Sequence, residues 1–388
     1  MNYRIDAYLT NNRVVDAAQA FIMSLTQSIT ALSFTTAIQG GYATAVMELA
    51  VKDVTAWGLL NRLGNRIVLA NPHAVNSALT VWEGLIYAVT IDDGKNAVNR
   101  SLASVYNRIR VTYSTITFDA GGAQVIGAQV TTADADDTAS QALYGIRELT
   151  YVAGGMDATN AAAVRDTLLL KYKNPLTVPQ RAQRGGGGDP SYTRVGIECV
   201  GIWETLDKRF YTKATTANAN IDVSVEACLT AVAQFANTDQ TNIAANTQQR
   251  TQFSDAKITT QAYLSGLSAL GGPNNRRFYF GFYQQGLPYY FEEPTAIAYR
   301  ARRNDPGEAI YDAVTGAVVP PWLVQPGRII RIDDLVPDAT AYSTALSDPR
   351  AYLIGEVRFV APGFVELTPT VSDPAQLSLA RLGLSQMG

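Results

Sequence analysis

One histidine, two cysteines and a scatter of serines and carboxylates are what this chain offers to catalysis. His73 lies in Ala70-Asn-Pro-His-Ala74, a loop between strands, so a triad or a histidine metal site would rest on that residue alone. The nearest approach to a nucleophile elbow is Gly266-Leu-Ser-Ala-Leu270. It lacks the final glycine and falls inside an amphipathic helix instead of at a strand-to-helix turn. Gly185 to Gly188 invites comparison with a phosphate loop, but Asp189-Pro190 follows where Gly-Lys-Ser/Thr is needed, and the tract reads as a linker. Asp134, Asp136 and Asp137 open like a calcium loop whose glycine and closing glutamate are missing, and helix capping accounts for them more simply. Cys199 and Cys228 show neither a disulfide framework nor metal-ligand spacing. Glu292 and Glu293 are adjacent in a strand and face opposite ways; pairing of either with a distant carboxylate stays open. The expectation is a chain with no catalytic, metal or cofactor residues.

The aromatic run Phe278, Tyr279, Phe280, Phe282, Tyr283, Tyr289, Tyr290 and Phe291 has more to say. Rows of rings stack sugars or single-stranded bases. Only Arg276 and Arg277 flank it, so a hairpin packed on the preceding helix is preferred. The two readings separate cleanly: a carbohydrate-binding or glycan-degrading module needs exposed, coplanar rings, whereas a packed hairpin buries most of them.

These residues must be held by a mostly β framework. After Gly40-Gly41, residues Ala43, Ala45, Met47, Leu49 and Val51 alternate with Tyr42, Thr44, Glu48 and Ala50, with Val46 out of place. That is the period of a half-buried strand, and the glycine pair supplies the turn before it. The pattern returns in Val81–Val89 and in Val105–Tyr113, where Val105, Ile109, Val111 and Tyr113 oppose Arg108, Arg110 and Thr112. Repeated short strands of this kind argue for a barrel or sandwich. Helical texture follows at 134–145 and at 157–172, where Ala161, Val164, Leu168 and Tyr172 share a face before Pro175. Strands resume at Thr193–Trp203. Helices are expected at 222–236 and 258–270, the second aligning Tyr263, Leu264, Leu267 and Leu270 and closed by Gly271-Gly272. The aromatic hairpin turns near Gln285-Gly286, and strands follow near 328–332, 352–359 and 363–368.

With 388 residues, 47% of them hydrophobic, the chain can fill two to four cores. Charged residues make up 17%, against about 25% in ordinary soluble domains. Such a surface suits either a low-charge soluble protein or one covered by neighbouring subunits. The net charge of −3 without a basic block leaves no footprint for gripping nucleic acid. The N-terminus lacks a signal-peptide layout, and the apolar stretch 17–38 is too polar to span a membrane, so cytoplasmic synthesis without membrane insertion is expected.

In their order, these segments resemble the tail hub proteins of long-tailed bacteriophages, the baseplate-hub-like proteins with relatives in contractile injection systems. The resemblance rests on Gly40–Val51, Leu63–Leu69 and Trp82-Glu-Gly-Leu-Ile-Tyr87. It continues through Tyr144–Glu148, Cys199–Leu206, the helix followed by Phe278–Tyr283 and Tyr289–Phe291, and Val324–Ile332. It implies an α+β, mainly β fold with two tube-like antiparallel β-barrel domains and helical or loop insertion domains. The first barrel would occupy residues 1–118 and be completed by 193–213, so that Val105–Tyr113 and Val195–Trp203 share a domain. A helical insertion with its Gly-rich linker would fill 119–192, a helix-plus-aromatic-hairpin region 214–294, and the second barrel 295–388. The resemblance further implies a homotrimer of pseudo-sixfold symmetry at the virion tail tip. Its expected partners are the tail tube or distal tail protein and a spike or fibre, with DNA passing through without specific binding. Family extensions with peptidase, lysozyme or receptor-binding activity are not matched in this chain.

Overall fold

The computed structural model describes residues 6–10, 21–71, 79–94, 97–180, 192–211, 218–232, 240–250, 258–273, 276–283, 286–302, 309–333, 348–361 and 364–370. The chain is mainly β. Its first part supplies β1 (Asp6–Thr10), β2 (Phe21–Ser24), β3 (Ile29–Ala37), β4 (Gly40–Val51), α1 (Asp53–Leu59), β5 (Arg66–Asn71), β6 (Leu79–Asp92) and β7 (Ala97–Ser101). An excursion follows: β8 (Arg108–Phe118), β9 (Gln124–Thr131), β10 (Ala135–Asp136), α2 (Thr138–Tyr144), β11 (Glu148–Met156) and α3 (Ala158–Tyr172). The chain returns through β12 (Thr177–Gln180) and β13 (Thr193–Val200).

Strand β13 lies between β4 and β6, antiparallel to both. Around it the strands run β2-β1-β5-β6-β13-β4-β3. The parity read from the sequence is the one observed. Ala45, Met47, Leu49 and Val51 are buried with Trp82, Ile86, Val195 and Ile197, while Val46 faces out on the Thr44–Glu48 side.

A second core forms where β13 ends. Helices α4 (Ile202–Thr205), α5 (Ile221–Ala231) and α6 (Thr260–Ala269) pack on the hairpin of β14 (Phe278–Tyr283) and β15 (Leu287–Glu292). Val225, Cys228 and Leu229 of α5 and Tyr263, Leu264 and Leu267 of α6 meet Phe278, Phe280, Phe282 and Tyr290 there. Leu270, expected on the same face, is exposed because α6 has already ended. A third core belongs to β16 (Ile297–Arg302), β17 (Ile310–Asp312), β18 (Val318–Val319), β19 (Ile329–Asp333), β20 (Ala351–Val360) and β21 (Phe364–Pro369). β16 and β19 are parallel, with β17 and β18 in the crossover between them.

Among the described residues neither run of strands forms a closed barrel. Over Ser33–Ala37 the outer edge of β3 is paired with β20. The first sheet therefore continues into the third.

Val105 packs in the first core, while β8, which carries Ile109 to Tyr113, pairs with β9, β10 and β11 in a separate sheet. Val105–Tyr113 and Val195–Trp203 thus do not share a sheet. The excursion combines strands with helices. It is a small sheet with α3 laid on one face, Val111 and Tyr113 packing on Ala161, Val164 and Leu168. Its helices start where capping chemistry dictates. Asp137 and Asp157 accept the backbone N–H groups of Ser140 and Asn160, each at 2.8 Å.

The first sheet and the helical core meet at Gly40-Gly41. Both glycines have positive φ, +99° and +82°, and Gly281-Phe282 of the hairpin runs parallel to them as the next strand. A Cβ on Gly41 would lie 2.0 Å from the Phe282 carbonyl oxygen. Tyr283 reinforces the joint, its hydroxyl lying 2.7 and 2.9 Å from the carbonyl oxygens of Ala37 and Ile38. Gly41→Ala is therefore expected to cost of the order of 3 kcal/mol, from backbone strain and a clash that no rotamer relieves. Gly58→Ala in α1, where a Cβ meets nothing within 4 Å, should be neutral or stabilising by up to about 1 kcal/mol. Denaturant unfolding of the two variants measures the contrast.

Candidate functional site

No catalytic set assembles among the described residues. His73 and the Gly185–Gly188 tract lie outside them. Ser268 is buried in α6 and donates its hydroxyl proton to the Leu264 carbonyl at 3.2 Å, the back-bond of a helical serine. Cys199 and Cys228 are buried free thiols in different cores. Burial raises both above the ordinary thiol range, Cys228 to about 12, which keeps them protonated and unreactive. Glu292 pairs with Arg276 at 3.1 Å on the surface. No group of three or more His, Cys, Asp or Glu residues among those described could hold a metal ion. No described helix is long and apolar enough to cross a membrane.

The aromatic run divides by parity. Phe278, Phe280, Phe282 and Tyr290 turn into the helical core. Tyr283, Tyr289 and Phe291 turn the other way and wall a cavity of about 330 Å³ with Phe34, Tyr42, Trp322 and Leu323. This cavity lies where the first sheet, the hairpin and the segment before β19 meet. Its rings contact one another edge to face: Tyr283 stands at 83° to Tyr289 and 62° to Phe291, with Tyr42 at 66° to Tyr283. They share no plane on which a sugar could stack, so the coplanar platform of a carbohydrate module is not formed by this hairpin. The sequence gives the parity but not the cavity, because its other wall comes from segments 40 and 240 residues away.

A second cavity, of about 260 Å³, is charged. It lies between the small sheet and the segment after α4, and Arg108, Arg110, Asp134, Glu148, Arg209 and Phe210 line it. Strand β8 presents Arg108 and Arg110 on the face away from α3, and the carboxylates stand opposite. Arg108 holds Asp136 through two bonds, 2.7 and 3.3 Å. Arg110 bridges Asp134 at 2.9 Å and Glu148 at 3.0 Å. Burial favours the neutral form of Asp136, but the bonds from Arg108 and Gln141 prevail and hold its carboxyl below the usual range. Glu148, more enclosed, moves the other way because desolvation outweighs the nearby arginines. The aspartates considered as a calcium loop are thus structural: two pair with arginines and the third caps α2.

Behind this seam lies a buried polar network. Asn107, fully buried, donates to Ser140 Oγ and the Gly145 carbonyl at 3.2 and 2.8 Å and accepts from Arg147 N–H at 2.8 Å. Arg147 Nε donates to the Val105 carbonyl at 3.0 Å. Between β5 and β6, on the face turned away from Ile67, Leu69 and Trp82, Arg66 and Glu83 form a buried ion pair. The sequence does not show that these residues would pair with one another. Alternation marks Arg108 and Arg110 as a polar face, and nothing local shows what covers it.

No family model matches this sequence, and no curated protein matches it either. Sixteen solved chains match in structure. A tail protein from Neisseria meningitidis MC58 is 8% identical, with 95% of this chain and 96% of that one covered and a TM-score of 0.42. The 43 kDa tail protein of prophage MuSo2 from Shewanella oneidensis is 7% identical, with coverages of 97% and 98% and a TM-score of 0.41. The E. coli c3393 protein is a type VI secretion component described as similar to the T4 tail proteins gp27 and gp5. It is 8% identical, with coverages of 89% and 74% and a TM-score of 0.33. The structural neighbours are thus tail proteins and a secretion-system counterpart.

Two substitutions test the seam. Asn107→Ala leaves the Gly145 carbonyl and the Arg147 N–H without this partner and should cost about 2–3 kcal/mol in denaturant unfolding. Asp137 is held below the ordinary aspartate range by the Ser140 N–H first and by Lys173 second. Its contribution is complete above that range and fades as pH falls through the lowered value. Because the carboxyl is partly exposed, Asp137→Ala should cost no more than about 1 kcal/mol at neutral pH. The variant and the parent should converge in acid.

Proposed function

We propose that this chain is a structural hub or adaptor at the tip of a phage tail or related injection apparatus. Three copies form a ring that joins the tail tube, or a distal tail protein, to a spike or fibre protein, and DNA passes through the channel. The ring is assembled in the host cytoplasm and ends in the virion. The observation that carries this reading is the succession of motifs from Gly40-Gly41 to Val324–Ile332, together with their use. Gly40-Gly41, Trp82-Glu-Gly84, Gly201-Ile-Trp203 and Phe278–Tyr283 all lie where sheets and cores join, and none lines a reactive centre. A Cβ on Gly84 would lie 2.3 Å from the Val200 carbonyl oxygen, and one on Gly201 1.6 Å from that of Tyr42. Residues placed this way serve architecture.

Charge supports the same reading. A conduit that lined its wall with lysine and arginine would bind phosphates in a salt-dependent way and retard the DNA. The chain has a net charge of −3 and no basic block, and Arg108 and Arg110 are paired with carboxylates at the seam.

Antibody-labelled electron microscopy of tail particles containing the protein tests the location. Label at the distal tip is expected; label along the tail shaft or on the head contradicts the proposal. Incubation of the purified protein with peptidoglycan and with surface polysaccharide tests the absence of catalysis. Both substrates should be recovered unchanged, and cleavage abolished by one Asp-to-Asn or Glu-to-Gln change would replace the structural role with an enzymatic one.

A further inference from the structure

The small sheet ends in an arm. Strand β11 accompanies β8 as far as the pairing of Met156 with Thr115, whereas β8 and β9 run on together to Phe118 and Gln124. Beyond Thr115 the sheet is a two-stranded ribbon. Every residue of β9 is exposed, as are Thr117 and Phe118 at the end of β8. Phe118 is 71% and Ile126 68% exposed. A ribbon with water on both faces is marginally stable by itself. Proteins guard such edges with lysine, proline or other charges, yet from Phe118 to Thr131 the only charged residue is Asp119. The arm has the composition of a covered surface.

The opposite edge shows what can cover it. Strand β11 pairs with β8 on one side and, among the described residues, with no strand on the other. Leu149 to Met156 carries no charge, and Tyr151 and Val152 are exposed. The sheet therefore has two open edges on opposite sides of β8, eight residues long in β9 and nine in β11. They match in length and in lack of charge. Joining β9 of one copy to β11 of the next is a head-to-tail contact, the kind that closes into a ring. Joining β9 to β9 would leave every β11 edge bare.

We propose that the β8–β9 arm links copies of this chain, its β9 edge adding to the β11 edge of the next copy so that the small sheets run on around the ring. The inference deepens the function proposed above, which requires a contact between copies. The backbone is set for it. Thr132 N–H donates to the Val111 carbonyl at 2.9 Å, and Val130 stands opposite Tyr113. Gln129 and Thr131, alternating with these residues, turn their N–H groups away from β8 and towards the incoming strand.

Cross-linking tests the contact directly. Gln129→Cys combined in turn with Val152→Cys, Ala153→Cys or Gly154→Cys places one thiol on each edge, while the native cysteines stay buried. Under oxidation at least one pair should give covalent multimers of the full chain, and the single variants none. Gln129→Pro removes an outward donor and should shift the assembly to monomer in light scattering with the circular dichroism spectrum unchanged. An assembly that persists with no cross-link from any pair overturns this interface and leaves the tail-tip role standing. A parent chain that is monomeric at every concentration also overturns it, whereas tip labelling still decides the role.

Discussion

The backbone-to-backbone approach of Phe282 to Gly41 is the contact on which the rest of the molecule depends. Only residues without a side chain permit it, since any Cβ at Gly41 would sit inside the Phe282 peptide. Through it the helical core is hung from the first sheet, and through β3 and β20 the first sheet becomes the third. One turn of chain, Ile38-Gln39-Gly40-Gly41, thereby touches the first sheet, the helical core and a small cluster beside β19 and β20. Gln39 lends its side-chain oxygen to Phe280 N–H at 3.1 Å, and Ile38 packs with Ile329 and Leu353. A joint made of main chain leaves the two parts little freedom to move relative to one another.

The small sheet is attached by different means. Its contact with the body is not a continuous sheet: Tyr144 packs on the first core, and the guanidinium groups of Arg147 and Arg110 lie over the rings of Tyr87 and Phe210. Within the small sheet the arginine–carboxylate pairs tie β8 to β10 and β11, and desolvation offsets much of the attraction between their charges. The charged face of the small sheet contrasts with the uncharged ribbon at its far end, whose edge another strand can complete.

Much of this architecture was legible in the sequence, and the exceptions have physical causes. Strand β4 announced itself because one of its faces is buried and the other is not. Helix α2 was readable from its capping aspartates, and α3 from the apolar face of Ala161, Val164, Leu168 and Tyr172 before Pro175. Strand β9 left no signal because both its faces are exposed, so nothing in it alternates, and Gly127 breaks what pattern remains. Strand β11 hid behind Gly154-Gly155. Val105–Tyr113 misled for the opposite reason: a half-buried strand shows the same alternation whichever sheet it joins. Closure into barrels was expected from resemblance, and the pairing of β3 with β20, more than 300 residues apart, is not written in either strand. The aromatic hairpin gave its buried face plainly, whereas the cavity on its other face needed Phe34 and Trp322 brought from distant segments.

The role proposed for the chain is that of a low-charge structural part that holds its neighbours in register around an axis. Electron cryomicroscopy of the purified assembly tests that account most directly. It predicts three copies around an open axis, each giving two β-rich units to a wall of pseudo-sixfold symmetry. Isolated monomers, or copies arranged without a central channel, would contradict it.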